Sequence, residues 1–364
     1  MEKININDTF TVSVTDYSSD GAGLARLGNG CAVFVNGGVR GDVCRIIITK
    51  VLPRICRAGI TEIITPSVHR IAPDCPAFSR CGGCDWRHIS YNEELYAKRK
   101  KVNDALKRIA GLDIEAEDIL YTGKINGYRN NVQLKTNGKK TGFYAKASHD
   151  IAEIDQCLLV PDAFNEAIRR GETRIRTATE TLGDLTFRIS PESFFQVNTD
   201  ATVLLYDKAR EYAALEPHEL LLDLYCGTGS TTLYIGRDAE RAIGVELNAS
   251  AVADARENAV LNGINNVEFI CMDVSELNIS GLKPGCLIVD PPRKGLTSEA
   301  VRLIGESGVN KIIYISCNPA TLARDIKLLT NYSVVRVCAV DMFPRTKHVE
   351  CVAMLERITK TFNK

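Results

Sequence analysis

The chain has 364 residues, enough for two or three domains and a large core. Its 45 basic and 45 acidic residues cancel, so composition alone announces no nucleic-acid partner. Thirteen cysteines, an odd number scattered through a chain that starts without a signal peptide, argue against a disulfide framework and leave metal binding or catalysis as the default. No apolar run approaches the roughly 18 residues that a membrane helix needs, and a soluble, cytoplasmic protein is expected.

In chain order, residues 1 to about 65 alternate β-prone runs (Phe10 to Val14, Cys31 to Val35, Val43 to Ile48) with glycine turns, which predicts a small antiparallel barrel. Small barrels of the oligonucleotide-binding kind commonly hold RNA, although a plain structural barrel shows the same pattern. Cys75, Cys81 and Cys84 then fall within ten residues among turn-forming glycines, and Cys157 follows 73 residues later. Four thiolates suit a tetrahedral zinc or an iron–sulfur cluster, and the spacing favours neither. Ser90 to Gly111 predicts one helix, with Ser90 and Glu93 as a capping box and Gly111 as the stop. Leu95, Val102, Leu106 and Ile109 form its apolar face. Lys98, Arg99, Lys100, Lys101, Lys107 and Arg108 crowd the remainder, opposed by Asp104. Lys124, Arg129, Lys135, Lys139, Lys140 and Lys146 continue the run without an acid, interleaved with Tyr128, Phe143 and Tyr144. Cations gathered locally in a neutral chain fit a phosphate-backbone footprint.

From about residue 190 the texture changes to strands alternating with helices. Leu220 to Leu224, Ala242 to Glu246, Val267 to Ile270, Leu287 to Val289, Ile312 to Ile315, Ser333 to Val340 and Cys351 to Leu355 predict a doubly wound, mostly parallel sheet. Such sheets bind ligands at their carboxyl edge, and Cys317 lies there, between the Ile312 to Ile315 run and a helix opened by Asn318 and Pro319. A helix N-terminus favours the thiolate, the form of cysteine that attacks.

Gly227 and Gly229 follow the first strand, and Glu246 ends the next one, where a carboxylate can grip ribose hydroxyls. Thr232 stands where a third glycine would complete the dinucleotide fingerprint, so S-adenosylmethionine fits better than a dinucleotide. Asp273 is placed to meet an adenine, with helix capping as its plain alternative. Asp290, in Asp290-Pro291-Pro292-Arg293, sits in a stiff loop that aims its carboxylate at a polar base edge. Phe194 is a stacking candidate, Gln196 a hydrogen-bonding one, and Glu350 a base candidate at a strand edge of the same sheet.

Taken together and in this order, Gln196, the Asp223 to Gly229 loop, Asp290-Pro291-Pro292-Arg293, Ser316-Cys317-Asn318-Pro319 and His348-Val349-Glu350 resemble the class I RNA uracil-5-methyltransferase family. The resemblance covers nearly the whole chain. It implies an α/β protein: a Rossmann-like class I methyltransferase sheet, an N-terminal TRAM (OB-like) barrel and a central iron–sulfur domain. The implied boundaries are 1–67, 68–188 and 189–364, with the helix over 90–112 packing on the catalytic domain. It implies Cys317 as nucleophile and Glu350 as base, with Gln196, Tyr225, Gly227, Glu246, Asp273 and Asp290 on the S-adenosylmethionine. Phe194, Asp290 and Arg129 would meet the RNA, and Cys75, Cys81, Cys84 and Cys157 would ligate a [4Fe–4S] cluster. The target implied is a uridine of 23S rRNA or, alternatively, of tRNA, and the expected enzyme is a monomer. Ser230 and Arg345 depart from the family, which commonly has asparagine and histidine there.

Three other readings compete. An RNA base N-methyltransferase would use Asp290-Pro291-Pro292-Arg293 and leave Cys317 and Glu350 as coincidences. A radical methylthiotransferase spaces its cluster cysteines by three and then two residues, whereas the gaps between Cys75, Cys81 and Cys84 are five and two. A non-catalytic RNA-binding protein would have no use for cofactor loop, thiol and base together.

Overall fold

The computed structural model describes residues 4–358. Contacts divide it into two compact units. The first holds the stretch up to Ala97 with Lys135–Ile154 and Arg345–Lys347. The second holds Lys98–Leu134, Asp155–Pro344 and the stretch from His348 onward.

The first unit begins with six strands: β1 (Thr9–Ser13), β2 (Asp16–Tyr17), β3 (Gly23–Arg26), β4 (Ala32–Asn36), β5 (Val43–Val51) and β6 (Ile55–Thr65). Their spatial order is β1-β5-β6-β4-β3-β2. Alternate residues turn inward, so that Val33, Val35, Cys44, Ile46, Ile48, Cys56 and Ala58 share one core. Bonds from Val14 N–H to Asp42 and from Thr15 N–H to Leu24 curl the sheet on itself. The barrel is not wholly antiparallel as expected, because β4 and β6 run parallel from Ala32↔Ile55 to Asn36↔Gly59. The long β5 pairs with β1 on its far side and acts as the crossover, so β6 returns beside β4 in the same direction. Arg40 clamps Glu93 with both arms of its guanidinium, at 2.8 and 2.7 Å. Glu93, expected in a capping box, thus gives its carboxylate to a distant arginine.

The second unit is built on seven strands. In spatial order they are Val267–Cys271, Arg241–Glu246, Leu220–Leu224, Cys286–Val289, Lys311–Ser316, Glu350–Arg357 and Tyr332–Val340. The first five are parallel, and Glu350–Arg357 is antiparallel to both its neighbours. Both faces are dry. Ile313 and Ile315 join one apolar layer, Ile312 and Tyr314 the other, which is why the strand reads as an unbroken hydrophobic run. Asparagine or threonine side chains accept backbone N–H bonds at the starts of the helices Thr199–Ala213, Ala249–Leu261, Ser298–Glu306 and Pro319–Leu328.

The helix Tyr91–Ala105 continues as a π-helical turn, Leu106–Ala110, and stops at Gly111 (φ 75°), whose N–H bonds to Leu106. Val102 and Leu106 enter the apolar layer that contains Tyr314 and Leu322. Ile109, expected on the same face, is exposed: the wider π turn shifts the phase of the residues after it. Lys98 is also misplaced by the expectation of a solvated basic face. It is fully buried, its Nζ 2.6 Å from Asp341 Oδ1 and 3.0 Å from the Phe343 carbonyl. No helix among the described residues is long and apolar enough to cross a membrane.

Removing one partner of the Lys98–Asp341 pair leaves the other charge buried alone, at a cost of about 3–5 kcal/mol. Lys98→Ala should therefore lower the urea midpoint sharply, and the double replacement by apolar residues should recover much of it. Additive losses in the double variant would contradict a direct buried pair.

Candidate active site

A cavity of about 780 Å³ opens at the carboxyl edge of the seven-stranded sheet. Its wall includes every catalytic, cofactor and substrate residue named from the sequence: Arg129, Phe194, Gln196, Tyr225, Gly227, Glu246, Asp273, Asp290, Cys317 and Glu350.

On the cofactor side, the chain leaves strand Leu220–Leu224 through Tyr225, a non-glycine residue at φ 67° whose N–H bonds to Val245. The two glycines of the loop differ in purpose. At Gly227 (φ 55°) a Cβ would meet nothing within 4 Å, so the bare backbone faces open space. At Gly229 (φ 79°) a Cβ would lie 2.8 Å from Phe269 and 2.9 Å from Ala255, a packing demand. Glu246 accepts the Gly227 N–H at 3.1 Å and the Asn248 N–H at 2.8 Å, which ties the loop to the next strand. Asp273 lines the cavity and also caps a short turn, accepting from Ser275 N–H at 2.8 Å, the plain alternative the sequence offered. These features fit a nucleoside with a cationic sulfonium: an unobstructed glycine, carboxylates, and Asp223 Oδ1 buried without a hydrogen-bond partner. Burial pushes the Asp223 carboxyl up to about 8, against the bond from Thr232 Oγ1 at 2.6 Å.

On the reacting side, Cys317 follows strand Lys311–Ser316, and Asn318 caps the helix behind it. Glu350 opens the neighbouring antiparallel strand, whose register pairs Ser316 with Cys351. The next positions outward are Cys317 and Glu350. Burial, then the charges of Glu350 and Asp290, push the Cys317 thiol up to about 11, and Arg293 opposes them. The helix-start argument predicted the reverse, and it loses because burial and two acids outweigh what the helix dipole can offset. Burial and the Asp290 charge raise Glu350 to about 8, and burial raises Asp290 to about 7.

Phe194 is 72% exposed at the rim, free to meet a large ligand. Arg129 Nε is buried without a hydrogen-bond partner, a donor held ready for an acceptor. Sequence reasoning passed over other wall residues, among them Leu247, Met272, Thr297 and Phe343. Leu247 and Met272 each directly follow the end of a parallel strand, and that position alone marks them as crevice residues. Of the two family departures, Ser230 bonds Tyr206 at 2.9 Å, and Arg345 is buried in the first unit beside Glu94. Neither lines the cavity.

The cysteine set fares differently. Cys75, Cys81 and Cys84 belong to the first unit, where burial and then the nearby Cys75 raise the Cys81 thiol, and Arg87 Nε lies 3.4 Å from Cys84 Sγ. Cys157 belongs to the second unit. Among the described residues no group of three or more His, Cys, Asp or Glu side chains is arranged to hold a metal ion. The expected [4Fe–4S] site is therefore not met by this arrangement.

Strand order, glycine loop and carboxylate-lined edge define a Rossmann-like, S-adenosylmethionine-dependent methyltransferase. The profile described as tRNA (uracil-5-)-methyltransferase matches residues 173–283 and 277–358, and that of the TRAM domain matches residues 4–61. An uncharacterised RNA methyltransferase of Clostridium tetani is 32% identical over 96% of both chains, and one of Bacillus cereus is 31% identical over 97% of this chain and 98% of its own. The Pyrococcus abyssi tRNA (uracil-54, C5)-methyltransferase, solved with S-adenosyl-L-homocysteine, superposes with a TM-score of 0.77 at 26% identity, over 95% of this chain and 99% of its own. The chain belongs to the RNA uracil-5-methyltransferase family.

Glu350 binds its proton more tightly folded than unfolded, so its contribution to stability is lost as pH rises from about 5 to about 8. Each tenfold gain in proton affinity on folding is worth roughly 1.4 kcal/mol. Melting temperature should fall across that window, and Glu350→Gln should flatten the fall and melt higher than the parent at pH ~9. Parallel melting curves for the two proteins would contradict a buried, protonated Glu350.

Proposed function

We propose that the enzyme methylates carbon 5 of a uridine in 23S rRNA through a transient covalent bond to Cys317, with Glu350 as the base. The observation that carries the proposal is the placing of Cys317 and Glu350 side by side on antiparallel strands, with Asp290, in one cavity. A tRNA target is the second reading, favoured by the whole-length likeness to the Pyrococcus tRNA enzyme.

Carbon 5 of uracil is a poor nucleophile. Addition of Cys317 Sγ to carbon 6 turns it into an enolate-like carbon able to attack. The cofactor, when bound, supplies an electrophilic methyl on a positive sulfonium. A cation held among Glu246, Asp290 and Glu350 offsets the negative charge that keeps the thiol protonated. The same cation favours the ionised form of Glu350, which burial otherwise keeps protonated; after carbon 5 has taken the methyl group, the Glu350 carboxylate removes its proton and the Cys317 thiolate leaves, restoring the double bond. Asp290 holds the polar edge of the base, and Phe194 stacks at the rim. The uridine must be extruded from its RNA to enter, at a cost of a few kcal/mol in lost stacking.

RNA carrying 5-fluorouridine at the target should be methylated once and then remain attached, because fluorine cannot leave as a cation. Cys317→Ala should give neither adduct nor product while still binding S-adenosylmethionine. Glu350→Gln should accumulate adduct on ordinary uridine RNA, since it acts after methyl transfer. Methylation by Cys317→Ala would end the covalent reading.

The cluster is part of the same proposal. Three thiols in one loop with the positive charges of Arg87 and Lys146 beside them suit a negatively charged centre. Anaerobically purified protein should be brown and carry about four irons per chain. Colourless protein with one zinc would remove the cluster and leave the methyltransferase untouched.

A further inference from the structure

Cys31 and Cys56 lie in the barrel of the first unit and take no part in the chemistry above. Their Sγ atoms are 3.8 Å apart. Cys31 is half-buried at the end of the Gly28-Asn29-Gly30 turn, before β4, while Cys56 is 1% exposed near the start of β6. Cys31 is therefore partly open to solvent, while Cys56 is sealed in the core. The turn has open space around it: a Cβ at Gly28 or Gly30 would meet nothing within 4 Å, and Gly30 has φ 84°.

We infer that Cys31 and Cys56 are a dithiol modification site that closes reversibly to a disulfide when the protein meets hydrogen peroxide. Cys31 sulfur, as thiolate, attacks one peroxide oxygen; an S–O bond forms, the O–O bond breaks, and hydroxide leaves to take up a proton as water. Cys56 sulfur then attacks the resulting sulfenic acid; the S–S bond forms, the S–O bond breaks, and a second water leaves. Two thiols lose two electrons, and one peroxide gains them. Burial, with Cys31 adding to it, holds the Cys56 thiol up at about 11, which fits the slower, second role. Closing requires the sulfurs to approach to about 2.05 Å, a shift that the open glycine turn can absorb. The bond would join the turn between β3 and β4 to the first residues of β6, stapling the one parallel seam of the barrel.

Selectivity follows from access and from partners. Cys44, Cys226, Cys286, Cys338 and Cys351 are buried, so peroxide reaches them poorly. Cys271 is exposed, but its Sγ faces the Leu247 carbonyl at 3.5 Å rather than a second thiol, so its oxidation stops at a single sulfur.

The test treats the full-length protein with a small excess of hydrogen peroxide, blocks free thiols by alkylation, and maps peptides without reduction. A Cys31–Cys56 cross-linked peptide should dominate, disappear on adding dithiothreitol, and coincide with a rise of several degrees in melting temperature. Cys31→Ser, at the half-exposed position, should lose the cross-link and the rise. Cys56→Ser should leave Cys31 as a sulfenic acid captured by dimedone. Recovery of both cysteines alkylated after peroxide, or capture of Cys31 by dimedone to the same extent in parent and Cys56→Ser, would mean that the contact is ordinary core packing. No readout uses methyl transfer, so the outcome stands apart from that of the methylation experiments.

Discussion

Burial of carboxyl groups at one sheet edge is the constraint on which the rest of this site depends. Strand ends deliver Glu246, Asp290 and Glu350 to a single cavity, with Asp223 buried in the strand beneath. Apolar layers on both faces of the sheet keep water from this edge, and Asp223, Asp290 and Glu350 hold protons well above the ordinary acidic range as a result. The same potential that welcomes a sulfonium opposes a thiolate. Burial and the charges of Glu350 and Asp290 thus leave the Cys317 thiol raised to about 11, with Arg293 opposing them.

That arrangement depends on rigidity. The four inner parallel strands are buried over most of their length, Val267–Cys271 forms the partly exposed edge, and the antiparallel Glu350–Arg357 strand brings its own beginning to the edge where the parallel strands end. Cys317 at a strand end and Glu350 at a strand start can then be neighbours although 33 positions separate them. Neither depends on a long flexible loop for its place.

Much of this was legible in the residues. The apolar run Ile312 to Ile315, and Leu220 to Leu224 broken only by Asp223, read as strands buried on both faces, and the residues just past their ends as crevice residues. What escaped was decided by distant partners. Nothing near Lys98 in the chain marks it as buried, because Asp341 lies 243 residues away. Glu93 fits a capping box by spacing, yet Arg40 reaches it from another element. The parallel seam of β4 and β6 is a matter of topology, invisible to alternation patterns that look the same in either direction. For Cys317 the local cue pointed to a thiolate, and burial with two acids from other strands reversed it.

The phase of the Glu350–Arg357 strand has a further consequence. Side chains alternate between the two faces of a sheet, and Glu350 is followed at once by Cys351, which is fully buried. Sliding this strand by one residue against Lys311–Ser316 would carry Cys351 to the place of Glu350, exchanging a carboxyl for a second thiol, and would turn the strand's apolar residues to the opposite layers. The fold therefore acts as a parity check on its own active site: a deletion inside this strand cannot be absorbed by local adjustment, because the packing that restores one face puts the wrong chemistry on the other.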